Sequence, residues 1–110
     1  MSALTHLECG RCGEACDAEQ LLNLCPRCHS PLLARYDLAG ASRTLRRYAM
    51  AGRPASVWRY AEILPVRATS SRLSLGEGWT PLLPSRRVGP DLGLRHLLIK
   101  EEGLNPTGSF

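Results

Sequence analysis

The sequence predicts an α/β chain opened by a small four-cysteine zinc ribbon, and three observations carry that expectation. Two C-x-x-C pairs, Cys9-Gly10-Arg11-Cys12 and Cys25-Pro26-Arg27-Cys28, stand twelve residues apart near the amino end. Far down the chain, the compact apolar run Leu97-Leu98-Ile99 reads as a buried strand. A turn signal follows at once, with Gly103, Asn105-Pro106 and Gly108, and then Thr107 and Ser109 supply oxygens that could cap a helix. Strand, turn and helix start together aim N–H groups and hydroxyls at one point, as anion and small-ligand sites require.

Composition bounds what such a chain can be. Its 110 residues suffice for one small domain or a piece of a larger one, and 44% hydrophobic content excludes a disordered tail. No apolar stretch is long enough to span a bilayer, so no membrane partner is expected. Met1 to Glu8 lacks a basic region followed by an apolar block, so no secretory signal is read and the cytoplasm is the expected location. The net charge of +4 comes with thirteen arginines and one lysine, Lys100. The arginines form no block, which favours a solvated surface over a polyanion-binding one.

The ribbon is expected over residues 1–36. Each C-x-x-C turns two sulfurs towards one ion across a tight loop, and four thiolates complete the tetrahedron that zinc accepts. Cys9, Cys12, Cys25 and Cys28 are therefore the expected metal ligands. Gly13 follows the first pair where a positive φ is often needed, and His29 takes the matching place after the second. Disulfides would need an oxidising compartment, which nothing in the sequence supports. Cys16 breaks the paired spacing and reads as a spare thiol, with His29 and His6 as stand-in ligands. A site closed by four sulfurs is structural rather than catalytic. The loop between the pairs carries Glu14, Asp17 and Glu19 and no basic or aromatic residue, a poor surface for nucleic acid. The ribbon reads as a folding clip.

A helical arm and linker are expected over residues 37–72. Pro31 to Tyr36 reads as a strand closing the ribbon, and Asp37 as a helix cap. Leu38, Ala41, Leu45, Tyr48 and Ala49 recur at steps of three and four, the apolar face of an amphipathic helix. Arg43, Arg46 and Arg47 fall mostly off that face, and Gly52 and Pro54 end it. Trp58 and Tyr60 are large aromatic anchors on a further turn of helix, and Ala68 to Ser71 is a small polar linker.

From residue 73 onward the sequence reads as the start of a second domain. In Leu75-Gly76-Glu77-Gly78-Trp79-Thr80-Pro81-Leu82-Leu83 the glycines permit a tight turn close to another segment, and Thr80-Pro81 sets extended backbone. Gly89-Pro90-Asp91 and Gly93 mark turns before a strand over 96–101, with His96 at its edge.

Three blocks resemble one family in the same order. Lys100-Glu101-Glu102-Gly103-Leu104-Asn105-Pro106-Thr107-Gly108-Ser109-Phe110 is similar to the segment of threonine synthases that leads into the lysine carrying pyridoxal phosphate. Gly76-Glu77-Gly78-Trp79-Thr80-Pro81-Leu82 resembles an opening signature of fold-type II pyridoxal-phosphate enzymes, and Trp58-Arg59-Tyr60 with Leu64-Pro65 resembles the arm ahead of their catalytic domain. A zinc ribbon in front is also found in a subset of that family. The resemblance implies a pyridoxal-phosphate-dependent lyase that takes O-phosphohomoserine and water to threonine and phosphate. It implies a truncated catalytic domain over 73–110 and a Schiff-base lysine immediately after Phe110, so that this piece alone is catalytically silent. Thr107, Gly108, Ser109 and Phe110 are the expected cofactor-lining residues, with Asn105-Pro106 shaping the turn. Homo-oligomerisation is left open. The alternatives are a cysteate-synthase-like relative, or a stand-alone zinc-ribbon module binding nucleic acid or protein.

Overall fold

The computed structural model describes residues 1–108. The chain gathers into two compact units, the first made of Met1–Pro54 with Trp58–Arg72, the second of Ala55–Val57 with the residues from Leu73 onward.

The first unit is built on a three-stranded antiparallel sheet with β1 (Leu4–Cys9) between β2 (Ala15–Cys16) and β3 (Leu32–Tyr36). β1 pairs Leu7 with Cys16 and Cys9 with Leu32, with a register shift between Leu4 and His6. The knuckles lie at the Cys9 end of this sheet, and a lone bridge from Leu24 to Pro31 spans the second. β3 forms where the apolar run after the second knuckle placed it. Asp37 caps the following turn as expected, its carboxylate accepting from the Gly40 amide at 2.9 Å.

The amphipathic helix expected from Leu38 to Ala49 is corrected to one turn, α1 (Leu38–Ala41), and a separate 3-10 turn at Arg47–Met50. Leu38 and Tyr48 are exposed, and only Ala41 of the expected face is buried. Gly40, Ser42 and Thr44 explain the break. Glycine carries a large backbone entropy cost, and the Ser42 and Thr44 hydroxyls turn back to the carbonyls of Ala39 and Ala41. Too few favourable residues remain to carry the helix past its costly nucleus. Arg43, Arg46 and Arg47 are exposed, as a solvated face requires.

A second 3-10 stretch, Val57–Ile63, kinks at Tyr60 and carries Trp58. Trp58 lies under the Arg72 guanidinium, 5.5 Å from ring centroid to Cζ, while Tyr60 is exposed. The expected linker at 68–71 is a short 3-10 turn, Thr69–Ser71.

The second unit holds a two-stranded antiparallel ladder, β4 (Leu82–Pro84) against β5 (Leu98–Lys100), with the single turn α2 (Val88–Asp91) between them. The strand expected at 96–101 is present, but its burial is corrected. Leu98 and Ile99 are 53% and 48% exposed, because among the described residues no layer covers either face of the ladder. His96 is exposed just ahead of it. The described residues contain antiparallel pairs and single helical turns, and do not themselves build the helix-on-sheet layers of an α/β domain. Gly76 and Gly78 adopt φ of +96° and +81°, the left-handed turn expected of them. A Cβ on Gly78 would lie 2.7 Å from the Val57 amide nitrogen, so close backbone approach requires glycine there.

Candidate functional site

The two knuckles repeat one hydrogen-bond scheme. In the first, the Gly13 amide donates to the Cys9 carbonyl at 3.1 Å and the Cys9 amide to the Glu14 carbonyl at 2.9 Å. In the second, the His29 amide donates to the Cys25 carbonyl at 2.9 Å and the Cys25 amide to the Ser30 carbonyl at 2.9 Å. Each loop then reverses through a left-handed residue, Gly13 at φ +73° and His29 at φ +56°. The histidine tolerates what glycine does freely, and it lies outside the group formed by the four cysteines.

The loops bring Cys9, Cys12, Cys25 and Cys28 together, with all four sulfurs within 4.8 Å of one another. Cys9 to Cys28 is 3.4 Å, Cys12 to Cys28 is 3.6 Å and Cys12 to Cys25 is 3.7 Å, sulfur to sulfur. A tetrahedral zinc with Zn–S bonds of about 2.3 Å needs sulfur–sulfur edges of about 3.8 Å. The donor set and its spacing fit that ion. Backbone N–H groups of Arg11 and Cys12 both point at the Cys9 sulfur, each at 3.4 Å. Such donors stabilise a thiolate, and the Cys12 amide, with burial opposed to it, holds the Cys9 thiol below its usual range. The Ser30 hydroxyl and amide bring Cys28 down to about 6. At Cys12 the Glu14 amide pulls the thiol down, but burial and the three neighbouring sulfurs together push it up to about 12. Four sulfurs this close cannot all ionise without a cation among them.

Cys16 lies outside the group of four, and burial raises its thiol. His6 sits on β1 with Thr5 at 3.0 Å and Glu8 at 3.9 Å, also away from the sulfurs. Two ion pairs lie around the knuckles. Glu14 meets Arg27 at 3.5 Å, and Glu19 pairs with Arg67.

The second candidate site is the turn that follows β5. The Glu101 side chain accepts from the Gly103 amide at 3.1 Å and opens a 3-10 turn, Glu102–Leu104. Gly108 follows at φ +65°, its amide donating to the Asn105 carbonyl at 2.8 Å. Thr107 and Gly108 are exposed, and a Cβ on Gly108 would meet nothing within 4 Å, so the turn is open to a ligand on that side. Ser109 and Phe110 lie outside the described residues. No helix begins at Thr107 within those residues. Lys100 holds its ammonium on the carbonyl and hydroxyl of Thr80 and lies 3.5 Å from Glu102 Oε1.

Sequence reasoning missed one constellation. Arg53 grips Glu62 with both terminal nitrogens, at 2.7 and 2.6 Å, and also donates to the carbonyls of Arg59 and Thr44. Glu62 is buried, and Arg53 holds its carboxyl down to about 2. Opposite charges nine residues apart across a Gly/Pro break give no pattern that a sequence reading could single out.

A three-stranded sheet ending in two mirrored cysteine knuckles defines a cysteine-ribbon protein with a further segment attached. Comparison with known proteins reaches across nearly all of the chain. The chain is 37% identical over 102 residues to a threonine synthase of Methanocaldococcus jannaschii, covering 93% of this chain and 25% of the relative. It is 33% identical over 105 residues to a threonine synthase of Methanosarcina acetivorans, covering 96% of this chain and 25% of that relative. A threonine synthase of Halalkalibacterium halodurans is 45% identical over 60 residues, covering 50% of this chain and 17% of the relative. The chain is thus similar to threonine synthases over nearly all of its length, and it spans about a quarter of the length of the first two curated relatives. No family model matches it, and no solved structure matches it significantly. Among the described residues no helix is long and apolar enough to cross a membrane.

Proposed function

We propose that this chain is part of a threonine synthase, a pyridoxal-phosphate-dependent lyase that converts O-phospho-L-homoserine and water to L-threonine and phosphate. The observation that carries this reading is similarity to threonine synthases over 93% and 96% of the chain. In this reading residues 1–36 are a ribbon held by one structural zinc on Cys9, Cys12, Cys25 and Cys28. Residues 37–72 are an arm, and 73–110 begin a fold-type II catalytic domain.

Pyridoxal phosphate, when bound, supplies the electron sink for eliminating phosphate from the substrate. The share of this chain is to shape one edge of the cofactor site. Thr107 and Gly108, with Ser109 and Phe110, are the residues that would face the cofactor. The open left-handed turn at Gly108 supports that assignment, since it lets a ligand approach the backbone without a Cβ in the way. Lys100 is not proposed to carry the cofactor. Its side-chain nitrogen is already taken up by the carbonyl and hydroxyl of Thr80 and lies 3.5 Å from Glu102 Oε1.

The experiment is phosphate release from O-phosphohomoserine by the complete natural polypeptide that includes this chain, with threonine measured alongside. Stoichiometric threonine and phosphate are expected. Cofactor binding without either product would replace this reading by a relative with another substrate, such as a cysteate-synthase-like enzyme. Absence of cofactor binding would leave the ribbon as a binding module.

A further inference from the structure

In the second unit, the Gly76–Pro81 turn and the turn after β5 are fastened by a small closed set of polar groups. The Gly78 amide donates to Asn105 Oδ1 at 3.0 Å. Asn105 Nδ2 donates to the Glu102 carbonyl at 3.0 Å and to Glu102 Oε2 at 3.1 Å. The Thr80 hydroxyl donates to Glu102 Oε1 at 2.5 Å, and Lys100 stands over the Thr80 hydroxyl and 3.5 Å from the same carboxylate oxygen. One further backbone bond, from the Glu101 amide to the Pro81 carbonyl at 3.0 Å, extends the β4–β5 ladder towards the set.

The donors and acceptors match in one sense only. Both hydrogens of the Asn105 amide and its oxygen are engaged, and both Glu102 oxygens accept. Turning the Asn105 amide over would place its NH2 against the Gly78 N–H. Protonating or amidating Glu102 would set a donor against either Thr80 and Lys100 or Asn105. The donors from Thr80 and Asn105 keep the Glu102 carboxyl below its ordinary value, as a network built on the anion requires.

We propose that Glu102 and Asn105 are positioning residues: together they clasp the 102–105 turn to Gly78 and Thr80, and so set the course of the backbone through Thr107 and Gly108. The inference rests on the threonine synthase reading for what that backbone serves. Asn105 then acts on the cofactor site through the shape of the turn, since its side chain is fully occupied by Glu102 and Gly78. Gly78 is a partner because a side chain there would collide with Val57 before Asn105 could reach the amide.

A charge-exchange cycle tests the clasp. Asn105→Asp sets two carboxylates against each other, and Glu102→Gln gives the Oε2 side a choice between losing Asn105 and losing Thr80. The double variant restores the side-chain pair, because the new glutamine amide donates to the new aspartate carboxylate, which still accepts from Gly78, but the Glu102 carbonyl is left without the donor that Asn105 gave it. Amide exchange of Gly78, read by NMR on the zinc-loaded 110-residue chain with His29 as internal control, should quicken about tenfold in each single variant. In the double variant it should quicken by clearly less than the product of the two single effects, since one of the two lost side-chain bonds is regained. Multiplying single-variant effects, about a hundredfold, would overturn the clasp. In the complete natural polypeptide, pyridoxal-phosphate affinity and kcat should fall in each single variant with KM little changed, and the double should fall by less than the product of the single losses. Cofactor affinity and kcat unchanged throughout would overturn the positioning role, even with the exchange cycle coupled. A parent polypeptide that binds no cofactor would instead overturn the enzyme reading, and the exchange cycle would still report on the clasp by itself.

Discussion

Arg53 and Glu62 tie together separate stretches of the arm in the first unit. The buried carboxylate receives two guanidinium N–H groups, and the same guanidinium reaches the carbonyls of Thr44 and Arg59, so one side chain joins three stretches of backbone. Removing one partner leaves a largely desolvated charge, so Glu62→Gln should cost about 1–3 kcal/mol in urea unfolding of the arm. The pH dependence has a definite sign. The folded carboxyl titrates at about 2 against an ordinary 4.5, so the unfolded chain takes up the proton first as pH falls. The stabilisation is complete above the ordinary value and drains away as pH falls towards the folded one. Trp58 fluorescence in a Trp79→Phe background should therefore show acid unfolding across that window, and Glu62→Gln should flatten it. A slope unchanged by the substitution would remove Glu62 from the account. Lys100 makes the second residue-scale prediction. Borohydride reduction of this chain mixed with stoichiometric pyridoxal phosphate should leave Lys100 essentially unlabelled by mass spectrometry. Preferential labelling there would contradict an ammonium held by Thr80 and Glu102.

At the scale of elements, the knuckles were legible because their chemistry is local. A C-x-x-C pair needs only a short loop to converge its sulfurs, and the left-handed residue after each pair is imposed by that loop. Gly13 and His29 accordingly fell where their positions indicated. The arm was illegible for the opposite reason. Its three-and-four spacing was real, but a helix needs propensity as well as pattern, and Gly40, Ser42 and Thr44 lie inside it. The strand at Leu98–Lys100 was found, but its burial depended on neighbours that a local apolar run cannot specify. Two substitutions test these elements. Ser30→Ala removes a donor to the Cys28 sulfur, and zinc affinity by competition with a chromogenic chelator should fall about ten- to hundredfold. Gly78→Ala must place a Cβ against Val57 at a positive φ, which costs about 1–2 kcal/mol from the backbone conformation before the collision is counted. Exchange of the Gly103 and Asn105 amides should quicken in that variant, and unaltered exchange would mean that the close approach does not form.

Over the whole molecule, the buried apolar set is small: Leu4, Cys9, Cys25, Ala41 and Ala61 among the described residues. Cys9 and Cys25, 2% and 0% exposed, are the largest fully buried side chains of that set. A core of this size supplies little stability, and a zinc ion on the four cysteines would add to it. Native mass spectrometry should find one zinc per chain, and a strong chelator should abolish the dispersed amide spectrum of residues 4–36. Cys25→Ala should do the same without chelator. A ribbon that keeps its spectrum after zinc removal would show that the sheet stands without the ion.

The sequence by itself determined the set of four cysteines, the two left-handed turns after the knuckles, the Asp37 cap, the β3 and β5 strands and the resemblance to threonine synthases. Each of these depends on residues close together in the chain or on an uninterrupted run of similarity. Only the tertiary structure decided that the arm is a pair of short turns, that Glu62 is buried on Arg53, and that Asn105 meets Gly78. Those contacts join segments whose separation in sequence carries no period, so only a folded backbone could bring their donors and acceptors within reach.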